Sequence, residues 1–235
     1  MNTKNIALRI AISALTAFVL VFGTTEIGAA SPLPETPAIG GGVRTATHPE
    51  TGMLSFIGAD PSAPIAVAGA VGDGIPAQTR AAAILAEYAP QFGIRNPSEE
   101  LTVLRETGDG GSQIIRYQQV YQGVPVLAGE LILNMNDGGL VSMNGEASPS
   151  LSISTTPNLE AAQARELALA LVAKHYNLNA SQLTASEPSL WIYDERLLTD
   201  ESILPPHLVW RVEVRADGKA VRQLVLVNAM KERSA

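Results

Sequence analysis

Two stretches of the chain carry the same succession of patterns: a helical apolar stripe, then strand-like alternation. In the first, Ala81, Ile84, Leu85 and Tyr88 recur at helical spacing and predict an amphipathic helix over Gln78–Tyr88, stopped by Pro90. A short strand is predicted over Leu101–Arg105, and Gly108-Asp109-Gly110-Gly111 reads as a turn. Gln113–Tyr121 alternates, with Ile115, Tyr117, Gln119 and Tyr121 on one face. Gln122-Gly123 predicts a tight hairpin turn, because glycine tolerates the positive φ such turns need. Val124–Asn136 returns with Leu127, Leu131, Leu133 and Met135 on one face, and Asp137-Gly138-Gly139 turns the chain into Leu140–Asn144.

A polar join, Ser148–Thr156, precedes the second stretch. Asn158, with Pro157 before it, is expected to cap a helix over Leu159–Tyr176 whose stripe is Ala164, Leu167, Ala168, Leu171 and Val172. Strands are predicted over Ser189–Tyr193, His207–Val214 and Val221–Val227, with Asp217-Gly218 turning between the last two. Leu208, Trp210, Val212 and Val214 form the apolar side of the middle strand. The fold class read from this is α+β: two small units, each one helix packed on an antiparallel sheet. A helical stripe contributes its ~25 cal/mol per Å² only once it leaves water, so each helix needs its sheet. Units this short have marginal cores alone, and the two are expected to pack together or on a third body.

The first 75 residues lack this grammar. Lys4 and Arg9 precede Ile10–Phe22, an uncharged, mostly apolar run of 13 residues. That suits a signal-peptide core and falls short of the ~20 residues that span a bilayer. Small residues in Gly28-Ala29-Ala30 predict cleavage between Ala30 and Ser31, so residues 1–30 are expected to be a signal peptide and the mature chain to be extracellular, without stable membrane insertion. Residues 31–75 are rich in Pro, Gly and Ala and read as a linker, with one edge strand at Met53–Ile57.

Charge and composition then remove several functions. The chain carries −7, and loss of Lys4, Arg9 and Glu26 with the signal peptide makes it −8. Such a chain has no electrostatic footprint for nucleic acid, and no run of Lys and Arg supplies one locally. The absence of cysteine excludes disulfides, thiolate nucleophiles and Cys-based zinc sites.

No catalytic constellation emerges. His48, His175 and His207 contain no pair at the i, i+4 spacing that sets two imidazoles on one helix face, and H-E-x-x-H is absent. His175 falls in the last turn of the second helix, where the helix dipole favours a cation. No Ser sits in G-x-S-x-G, and the glycine clusters lack the context of a phosphate loop. The acidic pairs Asp194-Glu195 and Asp200-Glu201 read as solvated loop charge rather than a calcium site. No catalytic residue, metal ligand or cofactor is assigned. Asn179-Ala180-Ser181 is a glycosylation sequon, meaningful only in a eukaryotic secretory pathway.

Ala81–Leu133 resembles the fungalysin/thermolysin propeptide (FTP) domain. The resemblance rests on AAAILAEYAPQFGI, residues 81–94, and on RYQQVYQGVPVLAGELIL, residues 116–133. Residues 159–229 resemble a PepSY domain through the Ala-rich helix and the closing segments LVWRVEV, residues 208–214, and LVLVNA, residues 224–229. The resemblance implies two cystatin-like or PepSY-like units, at 76–147 and 157–230. It further implies a folding chaperone and inhibitor whose partner is a thermolysin-like metalloprotease catalytic domain. Relatives run from the last strand into a Val-Asp-Ala-x-x-Gly junction and the protease. Here Val227-Asn228-Ala229-Met230-Lys231-Glu232-Arg233 departs from it, and the zinc-binding half is expected to be missing. Tyr117, Gln119 and Tyr121 on the signature hairpin are the candidate partner contacts, with sheet core the alternative for the two rings. A free-standing extracellular binding module with a different partner is the second functional reading.

Overall fold

The computed structural model describes residues 42–109, 111–199, 202, 204–216 and 218–230. The chain runs through strands β1 (Arg44–Thr47) and β2 (Leu54–Gly58), helix α1 (Ala77–Tyr88) and the single turn α2 (Pro97–Glu100). The meander β3 (Leu101–Asp109), β4 (Ser112–Tyr121), β5 (Val124–Asn136) and β6 (Gly139–Glu146) follows. Then come helix α3 (Ala161–Tyr176) and strands β7 (Leu183–Ala185), β8 (Ser189–Tyr193), β9 (His207–Ala216) and β10 (Val221–Asn228). The architecture is mixed α+β.

Helix α1 forms where its stripe predicts. Ala81, Ile84 and Leu85 turn into a core built with Ile115 and Tyr117 of β4, Leu131, Leu133 and Met135 of β5, and Met143 of β6. Gln122 and Gly123 both take positive φ, 50° and 82°, which matches the twist of the flanking strands. Arg80, one position before the stripe, is unexpectedly buried: it donates to the carbonyls of Ala70 and Gly72 and pairs with Asp137 at 2.9 Å.

The stretch read as a linker differs most from its reading. Within its described part, β1 and β2 form a hairpin that extends the sheet beside β6, with Phe56 opposite Asn144. Ile65 bridges Leu140, and Val67 and Ala70 are buried in the α1 core. Gly139 permits this approach, since a Cβ there would lie 2.2 Å from the Ile65 carbonyl oxygen. Small apolar residues among prolines bury well without any periodicity to announce it. Residues 31–41 and the predicted signal peptide lie outside the described residues.

Helix α3 lays Ala164, Ala168 and Val172 on Val212, Val214, Val225 and Val227. It begins two residues later than predicted. Asn158 does not cap it, because the Asn158 and Leu159 amides both donate to the Ala229 carbonyl. Glu160 is the cap residue, and its amide donates to the Gln163 side chain at 3.4 Å. Leu167, predicted in the stripe, is exposed.

The two helix-covered cores share one sheet. Pairing of β4 with β5 jumps from Gln118 opposite Glu130 to Val120 opposite Pro125, and the intervening residues of β5 swing away, with Ala128 in the left-handed region at φ 63°. There Val126 pairs in parallel with Ile192 of β8. The resulting order is β1-β2-β6-β5-β8-β9-β10, with β4 and β3 extending from β5 and β7 pairing with β9. A third apolar cluster, Val126, Ile192, Leu197, Leu208 and Ala229, fills the junction.

Candidate functional site

The signature hairpin is the place where partner contacts are expected, and the structure separates its residues. Tyr117 is 5% exposed and packs in the α1 core. Burial, aided by the charge of Glu106, pushes its phenol up to about 12. Gln119 is 1% exposed; its amide nitrogen donates to the Ser148 carbonyl and its oxygen accepts from the Ser148 amide, each at 2.8 Å. Both were candidate partner contacts, and both are instead internal. The bulge explains Gln119: it pairs with Leu101 of β3 but has no partner in β5, and its primary amide takes that place by pairing with residue 148. Tyr121 alone stays half-buried, packed against the junction cluster.

Gln118 complements this arrangement. Its side chain is buried and donates to the carbonyls of Gln119, Val126 and Gly129, at 3.1, 2.6 and 2.8 Å. These carbonyls surround the bulge, and a buried carbonyl without a donor costs about 1–3 kcal/mol. The consecutive glutamines in the hairpin are thus the internal splint of the bulge. Two adjacent amides on a strand, one of which must face the core, were the available signal.

The network continues into the second half of the chain. The Ser148 hydroxyl donates to Asp194 at 2.5 Å, and Asp194 accepts from Arg196 at 2.9 and 2.7 Å and from the Arg196 amide at 3.1 Å. Asp194 is fully buried and Glu195 nearly so. The reading of this pair as solvated loop charge is therefore corrected: Asp194 locks residues after β8 to the join at Ser148. Burial raises the Asp194 carboxyl most, yet the hydrogen bonds from Arg196 and Ser148 and the Arg196 charge together hold it below its ordinary 3.8. Asp200 and Glu201 lie outside the described residues.

The three histidines stay apart. His48 sits in the β1–β2 turn, where its Nδ1 accepts from the amides of Glu50 and Thr51 and its Nε2 is 3.6 Å from Glu146. His175 ends α3 edge-on to Tyr176, and His207 opens β9 edge-on to Tyr193. Among the described residues no group of three His, Asp or Glu side chains is placed to hold a metal ion. No helix among them is long and apolar enough to cross a membrane.

Apolar side chains do face solvent beside the signature hairpin. Val103 and Leu104 on β3 are 45% and 52% exposed, and Ile114 on β4 is 43% exposed. Among the described residues β3 pairs with β4 alone, and Leu104 is the extra residue of a bulge. These residues lie in the stretch that comparison with protein families picks out. Residues 99–147 match the Fungalysin/Thermolysin Propeptide Motif. The match spans β3 to β6 and thus includes the bulge, both glutamines and the exposed apolar residues. Among solved structures, the C-terminal domain of Bacillus megaterium YpeB is similar over 80% of this chain and 78% of that chain, at 14% identity and a TM-score of 0.33. Comparison with curated protein sequences found no match.

Proposed function

We propose that the chain is a secreted propeptide-type protein that assists folding of a thermolysin-like metalloprotease and inhibits it. The observation that carries this reading is the propeptide motif over residues 99–147. Propeptides with this motif form a non-catalytic part of metalloprotease precursors, so the chain acts by binding and not by chemistry of its own. The two helix-on-sheet cores are the FTP-like unit, 76–147, and the PepSY-like unit, 157–230. Residues 1–30 direct export, with Ser31 at the mature N-terminus.

The partner surface differs from the one expected on Tyr117 and Gln119. Those two hold the scaffold rigid, while Leu104 of β3 and Ile114 of β4 present exposed apolar side chains to solvent. Burying Leu104 and Ile114, each about half exposed, against a partner contributes roughly half of the ~1.5–3 kcal/mol of a full burial apiece. The test is refolding of a denatured thermolysin-type protease from the same organism, with and without the mature chain. Recovered activity should rise with chain concentration, and an unchanged yield contradicts the chaperone role.

A further inference from the structure

Residues 147–160 connect the two cores, between the end of β6 and the start of α3. Both ends of this connection are anchored. The Ser148 amide and carbonyl are bonded to the Gln119 side chain at 2.8 Å, and the Asn158 and Leu159 amides donate to the Ala229 carbonyl at 2.9 Å. Between these anchors, after a turn at Pro149 and Ser150, the chain runs without bend from Leu151 to Thr155. Its side chains alternate: Leu151, Ile153 and Thr155 are half-buried, while Ser152 and Ser154 are exposed. This is the form of a strand, yet no strand pairs with it. Among the described residues no main-chain hydrogen bond joins residues 149–157 to another main-chain group.

Weak contacts hold the middle of the run. Leu151 and Ile153 pack against the junction cluster from its partly exposed margin. Ser150 accepts from Arg95 at 2.7 Å and Thr155 donates to Gln122 at 3.0 Å, and both bonds are exposed to water, which competes for them. Other long connections are tied down. Residues 59–76 send Val67 and Ala70 into the α1 core, and Arg80 donates to the carbonyls of Ala70 and Gly72. Residues 194–199 are fixed by the bonds between Asp194 and Arg196 and by the buried Leu197. Leu204 before β9 is exposed, but Pro205 and Pro206 follow it, and proline has a fixed φ and no N–H to offer.

We propose that residues 151–155 are a processing site, at which an endopeptidase divides the chain between its two cores. A cleft that takes an extended segment pairs with main-chain groups along it, as an added strand does. Residues 151–155 already have this form, and their N–H and C=O groups have no main-chain partner to give up. In the reaction water adds across one peptide bond of the run. Its oxygen joins the carbonyl carbon, the C–N bond breaks, and the two products carry a new carboxylate and a new ammonium group. Entry into a cleft displaces Leu151 and Ile153 alone from apolar contacts, a local opening far smaller than unfolding of either core. The products stay together at first, because Val126 still pairs with Ile192 and Ser148 still donates to Asp194. One chain thereby becomes two bodies whose association depends on concentration. The site stands independently of the chaperone and inhibitor reading.

The test is limited digestion of the folded mature chain with a broad-specificity serine endopeptidase, the fragments being weighed by mass spectrometry and cuts scored between residues 42 and 230. The first cut should fall within 151–155 and give two fragments that elute together in gel filtration and separate in urea. The nicked protein should melt at a temperature that rises with its concentration. Ser152→Pro with Ser154→Pro removes two amides that hold no main-chain bond, so the circular dichroism spectrum should be kept while this cut slows at least about tenfold. Leu151→Ser with Ile153→Ser frees the run from the junction and should speed the same cut, since cleavage follows the population of the open form. The proposal is overturned by a first cut elsewhere between residues 42 and 230, or by a chain that stays whole until it is degraded throughout. It is equally overturned if the proline variant is cut at the same bonds and at an unchanged rate.

Discussion

Gln119 and Ser148 exchange two hydrogen bonds of 2.8 Å across 29 residues of sequence, both buried. This places the signature hairpin, the join and, through Asp194, the second half of the chain in one polar network. Gln119→Leu keeps the volume but strands the amide and carbonyl of Ser148. An unsatisfied buried pair costs about 2–3 kcal/mol. Urea unfolding should show a lower midpoint with unchanged slope, the signature of lost stability without a change in exposed surface.

Asp194 gives the fold a dependence on pH with a definite sign. Its carboxyl is held below 3.8 in the folded chain, so the unfolded chain takes up the proton first as pH falls. The stability it contributes is therefore present above about pH 5 and is lost as pH drops through the folded value. Asp194→Asn should be less stable at pH 7, by about 3 kcal/mol for a buried ion pair broken on one side. Its stability should fall less steeply below pH 5 than that of the unaltered chain, measured as melting temperature against pH.

Tyr117 shifts in the opposite direction. With its phenol raised to about 12, its contribution is complete below 10 and is lost as pH rises toward 12. Ultraviolet titration of the folded protein should show a late tyrosine transition that Tyr117→Phe removes. Truncating the ring itself is a different matter: Tyr117→Ala leaves a cavity costing about 3–5 kcal/mol. Together with Tyr121→Ala it should largely unfold the domain, by circular dichroism, rather than weaken a partner contact.

Much of this was legible in the chain. The stripe of α1 and the alternation in β4 and in the Leu131–Met135 part of β5 follow from side-chain period, and Gln122-Gly123 takes its turn; Leu127, expected on the same face, lies outside that core because the bulge turns Val126 into the junction instead. What was not legible depends on contacts distant in sequence. Val67 and Ala70 reach the core from a Pro- and Gly-rich stretch because α1 and β6 leave space for them. Asn158 has the chemistry of a helix cap, but its amide is claimed by Ala229 across the sheet. Gln119 shares the face of Tyr117 by strand period, yet only the bulge and Ser148 decide that this face is sealed. Asp194 looked like loop charge because its partner Ser148 lies 46 residues away.

The exposed apolar residues make the partner surface testable apart from the scaffold. Leu104→Asp with Ile114→Asp removes two solvent-facing side chains, so stability should change by less than about 1 kcal/mol. Affinity for the protease should fall by about 2–4 kcal/mol if both rest against it, as buried anchors do. The comparison is of urea midpoints and inhibition constants for the same pair of proteins.

Inhibition in trans measures directly whether the chain binds a protease. The mature chain is titrated against the active thermolysin-type protease of the same organism, with residual peptide hydrolysis as the readout. A propeptide joined to its enzyme acts at an effective concentration of order mM, so a chain added separately must rely on its own affinity. Dose-dependent, saturable inhibition is expected, with a Ki between about 1 nM and 10 μM and little effect on distant relatives of the enzyme. Full activity of the protease at about 50 μM of the chain contradicts it.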